Sequence, residues 1–171
     1  MVNYKVIDNF LRDDIFQELK YTLFGNRISW SFKNYLAYPG DNLGGVSFAQ
    51  YLYDQNKITQ PQYFSIVEPL IQRAQINNLY RALVNLVPKQ PNNIPSGIHT
   101  DHSFPHKVLL YYVNTNNGYT ILDPEGENIK IQCIKNRALI FDGQIPHQGV
   151  LQSDTPVRLN VNLTFEKHGK L

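Results

Sequence analysis

The chain has little of several residue types that usually announce a function. Its 171 residues include one cysteine, Cys133, one methionine and one tryptophan. A single thiol builds neither a disulfide framework nor a CxxC zinc site, and it fits a reducing compartment. Lys and Arg total 16 against 14 acidic residues, with no basic run, which excludes the electrostatic footprint of a nucleic-acid binder. No apolar run approaches the roughly 20 residues a membrane helix needs. The start, Met1-Val2-Asn3-Tyr4-Lys5, lacks the basic and apolar regions of a signal peptide. These absences lead to the expectation of a cytoplasmic protein with no nucleic-acid or membrane partner. Apolar and amide residues are what the chain does have. A hydrophobic fraction of 42% and an aromatic fraction of 12% exclude disorder. The 18 Asn and 12 Gln are scattered rather than in tracts, so they supply polarity in place of charge. This length predicts one domain, residues 1–171.

Val2–Ile7 alternates as a half-buried strand does. Asp13–Phe24 reads as an amphipathic helix, with Ile15, Leu19 and Leu23 at near-helical spacing. Asp13 and Asp14 suit its N-terminus, and Gly25-Asn26 offers a C-cap. Trp30–Tyr38 reads as extended, Pro39 to Gly45 as a loop, and Tyr63–Gln75 as a second helix that Pro69 kinks or starts late. From Leu79 the character changes. Short apolar runs recur at Leu79–Val87, Val108–Val113, Tyr119–Leu122, Ile129–Ile134, Ala138–Phe141 and Val157–Phe165, parted by Gly, Asn and Pro turns. Such a pattern predicts a β-sandwich or barrel. The expected fold is mainly β with N-terminal helices: a helical support region, 1–78, packed on a jelly-roll core, 79–166. That core is a double-stranded β-helix, cupin-like and closed against edge pairing.

The chemistry-bearing residues begin at His99-Thr100-Asp101. Residues i and i+2 of an extended segment share a face, so an imidazole and a carboxylate converge there. His147, after Phe141-Asp142-Gly143 and Pro146, opens the strand-like segment His147–Leu151. It completes a 2-His-1-carboxylate set, whose open positions suit a non-haem Fe(II) oxygenase. Arg158 follows eleven positions later. Around it, Val157, Leu159, Val161 and Leu163 form one apolar face, and Arg158, Asn160 and Asn162 form the other. That second face is either the solvated side of an outer strand or the inside of the barrel. Inside, Arg158 is a buried cation in need of a partner, best a bidentate carboxylate. Sheets of a sandwich lie about 10 Å apart, a gap that a five-carbon dicarboxylic acid bridges between metal and guanidinium. The geometry suggests 2-oxoglutarate as the co-substrate.

These residues, in this order, resemble the iron(II)/2-oxoglutarate-dependent dioxygenase superfamily. The text between them is similar to its prolyl-4-hydroxylase-like branch, especially the small bacterial and bacteriophage forms. Leu110-Tyr111-Tyr112-Val113-Asn114 resembles the branch's YYLN strand. Asn117-Gly118-Tyr119-Thr120 resembles its GGxT turn, with Asn for the first Gly, and Asn136–Asp142 resembles the strand leading to the distal His. The likeness covers Arg81–Glu166. It implies an oxidoreductase that hydroxylates a C–H bond, of a prolyl or other peptidyl residue. O₂ and 2-oxoglutarate are consumed, and succinate and CO₂ released, in the cytoplasm of a bacterial host if the chain is phage-encoded. It also implies Fe(II) on His99, Asp101 and His147, with ascorbate as an accessory reductant. Arg158 then holds the far carboxylate of 2-oxoglutarate, Tyr112 donates a hydrogen bond to it, and Leu110 packs beside it. Branch members carry a co-substrate-facing Tyr on the strand before the HxD pair. This chain reads Val84-Asn85-Leu86-Val87-Pro88 there, and Asn85 is the substitute.

Other readings of the same residues stay open. A cupin-type isomerase or epimerase on this barrel need not bind 2-oxoglutarate, but it leaves the His147–Arg158 interval unexplained. A non-catalytic jelly-roll binding module with a vestigial triad is a third reading. His102 and His106 flank Ser103-Phe104-Pro105 and read as solvent-facing loop histidines rather than substrate contacts. Arg81 reads equally as a substrate-side residue or a structural ion pair, and Cys133 as an inert buried thiol. Tyr38–Gly45 and His102–His106 are expected to be mobile loops over the barrel mouth.

Overall fold

A computed structural model describes residues 4–26, 28–41 and 45–166. Val2 and Asn3 of the first expected strand, and residues 42–44 of the expected 38–45 loop, lie outside these. The described elements are β1 (Tyr4–Ile7), α1 (Asp13–Phe24), β2 (Ser31–Lys33), β3 (Ser47–Asp54), β4 (Lys57–Ile58), α2 (Pro61–Phe64) and α3 (Glu68–Arg73). Then follow β5 (Leu79–Pro88), β6 (Lys107–Tyr112), β7 (Tyr119–Leu122), β8 (Ile129–Gln132), β9 (Arg137–Asp142), β10 (His147–Val150) and β11 (Val157–Phe165). The major sheet runs β1-β9-β6-β11-β5-β3-β2, with β4 on β3, and the minor sheet runs β10-β7-β8. Every described pairing is antiparallel. This is the jelly roll expected from the C-terminal strand pattern.

Alternation along the major sheet sorts side chains into two cores. Leu109 and Tyr111 of β6, Ala82 and Val84 of β5, and Leu159, Val161 and Leu163 of β11 face α1, where Phe16, Leu19 and Leu23 pack. The opposite face of β6 and β9, with Leu110, Tyr112, Leu139 and Phe141, packs on Leu122 and Ile131 of the minor sheet. Asn136 ties the first core together. Its side chain accepts from Leu11 N at 2.9 Å and Tyr111 Oη at 2.8 Å, and donates to Leu11 O at 2.9 Å.

The N-terminal half departs from expectation in four places. Residues 1–78 are not simply a helical support, because β1–β4 belong to the major sheet and β3 pairs along β5. The helix expected over Tyr63–Gln75 is two short helices, each with a proline in its first turn, where a missing N–H costs nothing. The extended run expected over Trp30–Tyr38 stops at Lys33, because the Asp41 carboxylate accepts from Leu36 N and Ala37 N and curls the chain. Gly25 ends α1 in an extended rather than left-handed conformation. No helix among the described residues is long and apolar enough to cross a membrane.

Candidate metal and co-substrate site

The segment before His99 runs beside β10 and widens the minor sheet. Pro95 pairs with Val150 and His99 with His147, and the latter two residues exchange both backbone hydrogen bonds, at 3.0 and 2.9 Å. Residues directly opposite in an antiparallel pair point to the same face, so the two imidazoles meet, with ring centres 4.5 Å apart. Asp101, two residues beyond His99, joins them. One donor atom from each of His99, Asp101 and His147 lies within 4.8 Å of the others.

Each imidazole is oriented by a carbonyl. His99 Nδ1 lies 3.0 Å from Gly97 O, and His147 Nδ1 3.2 Å from Ile145 O. Those nitrogens carry the proton, which leaves both Nε2 atoms as free donors to a metal. Burial pushes the His147 imidazolium down to about 4, so the ring is neutral at pH 7. For Asp101, burial opposes ionisation, but the Arg81 charge and His147 outweigh it and hold the carboxyl well below the usual carboxylate range. Arg81 bonds Asp101 Oδ1, and Asn162 Nδ2 donates to Oδ2 at 3.3 Å. Oδ2 lies 3.7 Å from His147 Nε2. An ionised oxygen and two imidazole nitrogens thus face one point, the donor chemistry of an N/O-ligated divalent metal.

A cavity of about 420 Å³ opens beside this cluster. Arg158, Asn160 and Asn162 line it, so the polar face of β11 points into the barrel. Arg158 is 3% exposed. Its Nη1 donates to Val150 O at 2.9 Å, its Nη2 lies 3.4 Å from Thr120 Oγ1, and its Nε has no acceptor. No carboxylate pairs with it among the described residues. Gly149, on the same face of β10 as His147, keeps the space between ligands and guanidinium open; a Cβ there would come within 3.6 Å of Nη1.

The remaining expected residues divide. Leu110 and Asn85 line the cavity, and Asn85 Nδ2 donates to Asn160 Oδ1 at 3.1 Å. Tyr112 does not reach the cavity: it is fully buried, and its hydroxyl donates to Thr120 Oγ1 at 2.8 Å. Thr120, the last residue of the Asn117–Thr120 turn, is the hydroxyl that faces the cavity beside Arg158. His106 is not solvent-facing. It is fully buried against Gly143, whose missing side chain makes room for the ring, and its Nδ1 lies 2.8 Å from Phe104 O. His102 is half-buried, with Nε2 2.8 Å from Thr164 Oγ1. Both readings of Arg81 are present: it forms an ion pair with Asp101 and also lines the cavity.

No protein-family model matches the chain, and no curated protein is similar to it in sequence. Solved structures are similar to it in fold. A prolyl hydroxylase from Trichoplax adhaerens, in complex with a hypoxia inducible factor peptide fragment, superimposes with a TM-score of 0.66 at 20% identity. It covers 97% of this chain and 84% of that one. A prolyl-4-hydroxylase from Pseudomonas putida gives 0.65 at 12% identity over 98% and 94%. An epimerase of nogalamycin biosynthesis, in complex with Fe3+, alpha ketoglutarate and nogalamycin RO, gives 0.68 at 10% identity over 97% and 79%. The chain has the jelly-roll fold of the 2-oxoglutarate/Fe(II) oxygenases.

Proposed function

We propose that the chain is an iron(II)- and 2-oxoglutarate-dependent oxygenase that hydroxylates a C–H bond. The observation that carries this reading is Arg158, a buried guanidinium without a counter-charge among the described residues, facing the same cavity as a His–Asp–His cluster. A dicarboxylate satisfies both at once. In this reading His99 and His147, through Nε2, and Asp101 hold the metal. Bound there, iron(II) with 2-oxoglutarate supplies O₂ activation coupled to loss of CO₂ and release of succinate. The chain's own work is positional. The Gly97 and Ile145 carbonyls fix the two imidazole tautomers, and Arg81 with Asn162 fixes the rotation of Asp101. Arg158 and Thr120 receive the far carboxylate, Leu110 and Asn85 flank it, and Tyr112 acts by orienting the Thr120 hydroxyl.

The prolyl hydroxylases of this fold support a prolyl or other peptidyl residue as substrate, and ascorbate, returning oxidised iron to Fe(II), is an accessory of the same reading. The cytoplasm suits it, where the single thiol stays reduced. An isomerase that dispenses with 2-oxoglutarate, or a module that only binds, leaves the unpaired Arg158 without a purpose. Anaerobic titration with Fe(II) and 2-oxoglutarate tests the proposal. A visible charge-transfer band is expected in the parent protein and not in His99→Ala, Asp101→Ala or His147→Ala. A folded parent protein that gives no band refutes it.

A further inference from the structure

The charges around the cavity do not pair off. Lys33, Arg81, Asp101 and Arg158 all line it. Arg81 is matched by Asp101, and Arg158 by the co-substrate if the reading above holds. Lys33 is left over. It ends β2 opposite Ser47, and Ser47, Ala49 and Tyr51 share one face of β3. The register sets Ala49 against Asn85 and Tyr51 against Leu83, both on the cavity face of β5. The Lys33 ammonium lies 5.5 Å from the centre of the Tyr35 ring and 5.4 Å from that of Tyr51, so two aromatic faces hold it over the cavity. Among the described residues no carboxylate lies within ion-pair reach of it. Burial and the repulsion of Arg81 both lower its pKa, the response of a cation that lacks an anion. Arg81 adds a buried Nε with no acceptor.

We infer that the substrate carries a carboxylate, received by Lys33 on the Arg81 side of the cavity. With Arg158 given to the co-substrate, Lys33 is the cavity-lining cation left without a carboxylate partner among the described residues, and a single substrate carboxylate would meet it. The co-substrate does not meet it while it is anchored on Arg158: in the order β11-β5-β3-β2 the Lys33 strand lies three spacings, roughly 14 Å, across the sheet. The carboxylate belongs either to an acidic side chain of a peptide or to the α-carboxyl of a free amino acid.

Ligand-observed NMR on protein loaded with Zn(II) and 2-oxoglutarate tests this with matched probes. L-proline is set against L-prolinamide, and the blocked dipeptide amide of Asp-Pro against that of Asn-Pro. Each productive carboxylate probe should bind about tenfold or more tighter than its amide partner, as a charge-assisted bond predicts. Which pair discriminates identifies the source. Lys33→Met should bring the carboxylate probe down to the amide, and Lys33→Arg should keep the preference. Equal affinities within both pairs, no binding by either carboxylate probe, or a preference that survives Lys33→Met overturns the inference. The charge-transfer band is recorded in parallel with Fe(II). Its loss in Lys33→Met would make Lys33 a co-substrate ligand and also overturn the inference, whereas its absence from the parent protein removes the oxygenase reading itself.

Discussion

Replacing Arg158 by methionine should make the ligand-free protein more stable and the ligand useless. The guanidinium is 3% exposed and faces no carboxylate among the described residues. A buried ion without a counter-charge carries an effective desolvation penalty of several kcal/mol. Its hydrogen bonds offset part of that. The bond to Val150 O at 2.9 Å is a good one, while those to Tyr119 O and Thr120 Oγ1 are stretched to 3.4 Å. One charge-assisted bond contributes about 1.5–3 kcal/mol, and water in the cavity relieves some of the remainder. A methionine keeps most of the stem and removes the charge, for a net gain of about 1–2 kcal/mol. In a chain of this size that raises Tm by about 2–8 °C. Saturating 2-oxoglutarate works in the opposite sense: at a hundred times Kd it stabilises the parent protein by about 2.7 kcal/mol, and it should leave Arg158→Met unmoved. Calorimetry of both proteins, loaded with Zn(II), with and without 2-oxoglutarate, reads all four values. A variant that melts several degrees below the parent without ligand means the guanidinium was already satisfied by the fold. A variant that keeps the ligand-induced shift means the anchor lies elsewhere.

Three further outcomes follow from the geometry. Arg81→Met leaves Asp101 with Asn162 alone to fix its rotation, so Fe(II) affinity, measured by chelator competition, should fall about 10–100-fold; an unchanged affinity contradicts the orienting role. In metal-free protein the unfolded His147 takes up a proton below about pH 6.5, while the folded ring refuses it down to about 4. Protonation therefore favours unfolding, and stability present above pH 6.5 is lost as pH falls toward 4, by about 3 kcal/mol. Denaturant melts of the parent and His147→Gln across that window should diverge, and parallel curves would refute the burial argument. Asn136→Ala removes three buried hydrogen bonds and puts alanine at a left-handed φ of 57°, so it should cost about 3 kcal/mol in urea unfolding, and a loss below about 1 kcal/mol would contradict it.

The readable parts of the fold are those whose cause is local. β7 and β11 fall on their expected bounds because alternation and turn residues bracket them, and α1 does so because its apolar stripe and acidic first turn coincide. β3 is invisible to the same reasoning. It carries a bulge between Tyr51 and Tyr53 that breaks the period, and polar Ser47 and Gln50 are buried on its two faces. His99, Asp101, His147 and Arg158 stand out in the sequence because they form two closely spaced pairs, His99 with Asp101 and His147 with Arg158, of side chains rarely buried without purpose. Lys33 does not, since only the pairing of β2 with β3 and of β3 with β5 brings it over the cavity. Tyr112 shows the limit within one strand. Alternation names its face correctly, but the reach of its hydroxyl depends on Thr120, contributed by the other sheet.

The opposite-facing residues of β11 also determine what kinds of change the protein can absorb. Arg158, Asn160 and Asn162 face the ligand space, while Leu159, Val161 and Leu163 face the helix-side core. Of the even positions, Asn160 is the one where point replacement can retailor recognition, since Arg158 anchors the proposed co-substrate and Asn162 holds Asp101, and replacement at the odd positions can tune stability without touching the cavity. Length has no such freedom. A one-residue insertion ahead of Arg158 would exchange the two sets, driving a guanidinium and two amides into the core and turning three aliphatic side chains toward the cavity. A library for altered substrate preference can therefore be written on this strand around a fixed Arg158 and Asn162, with every insertion and deletion left out.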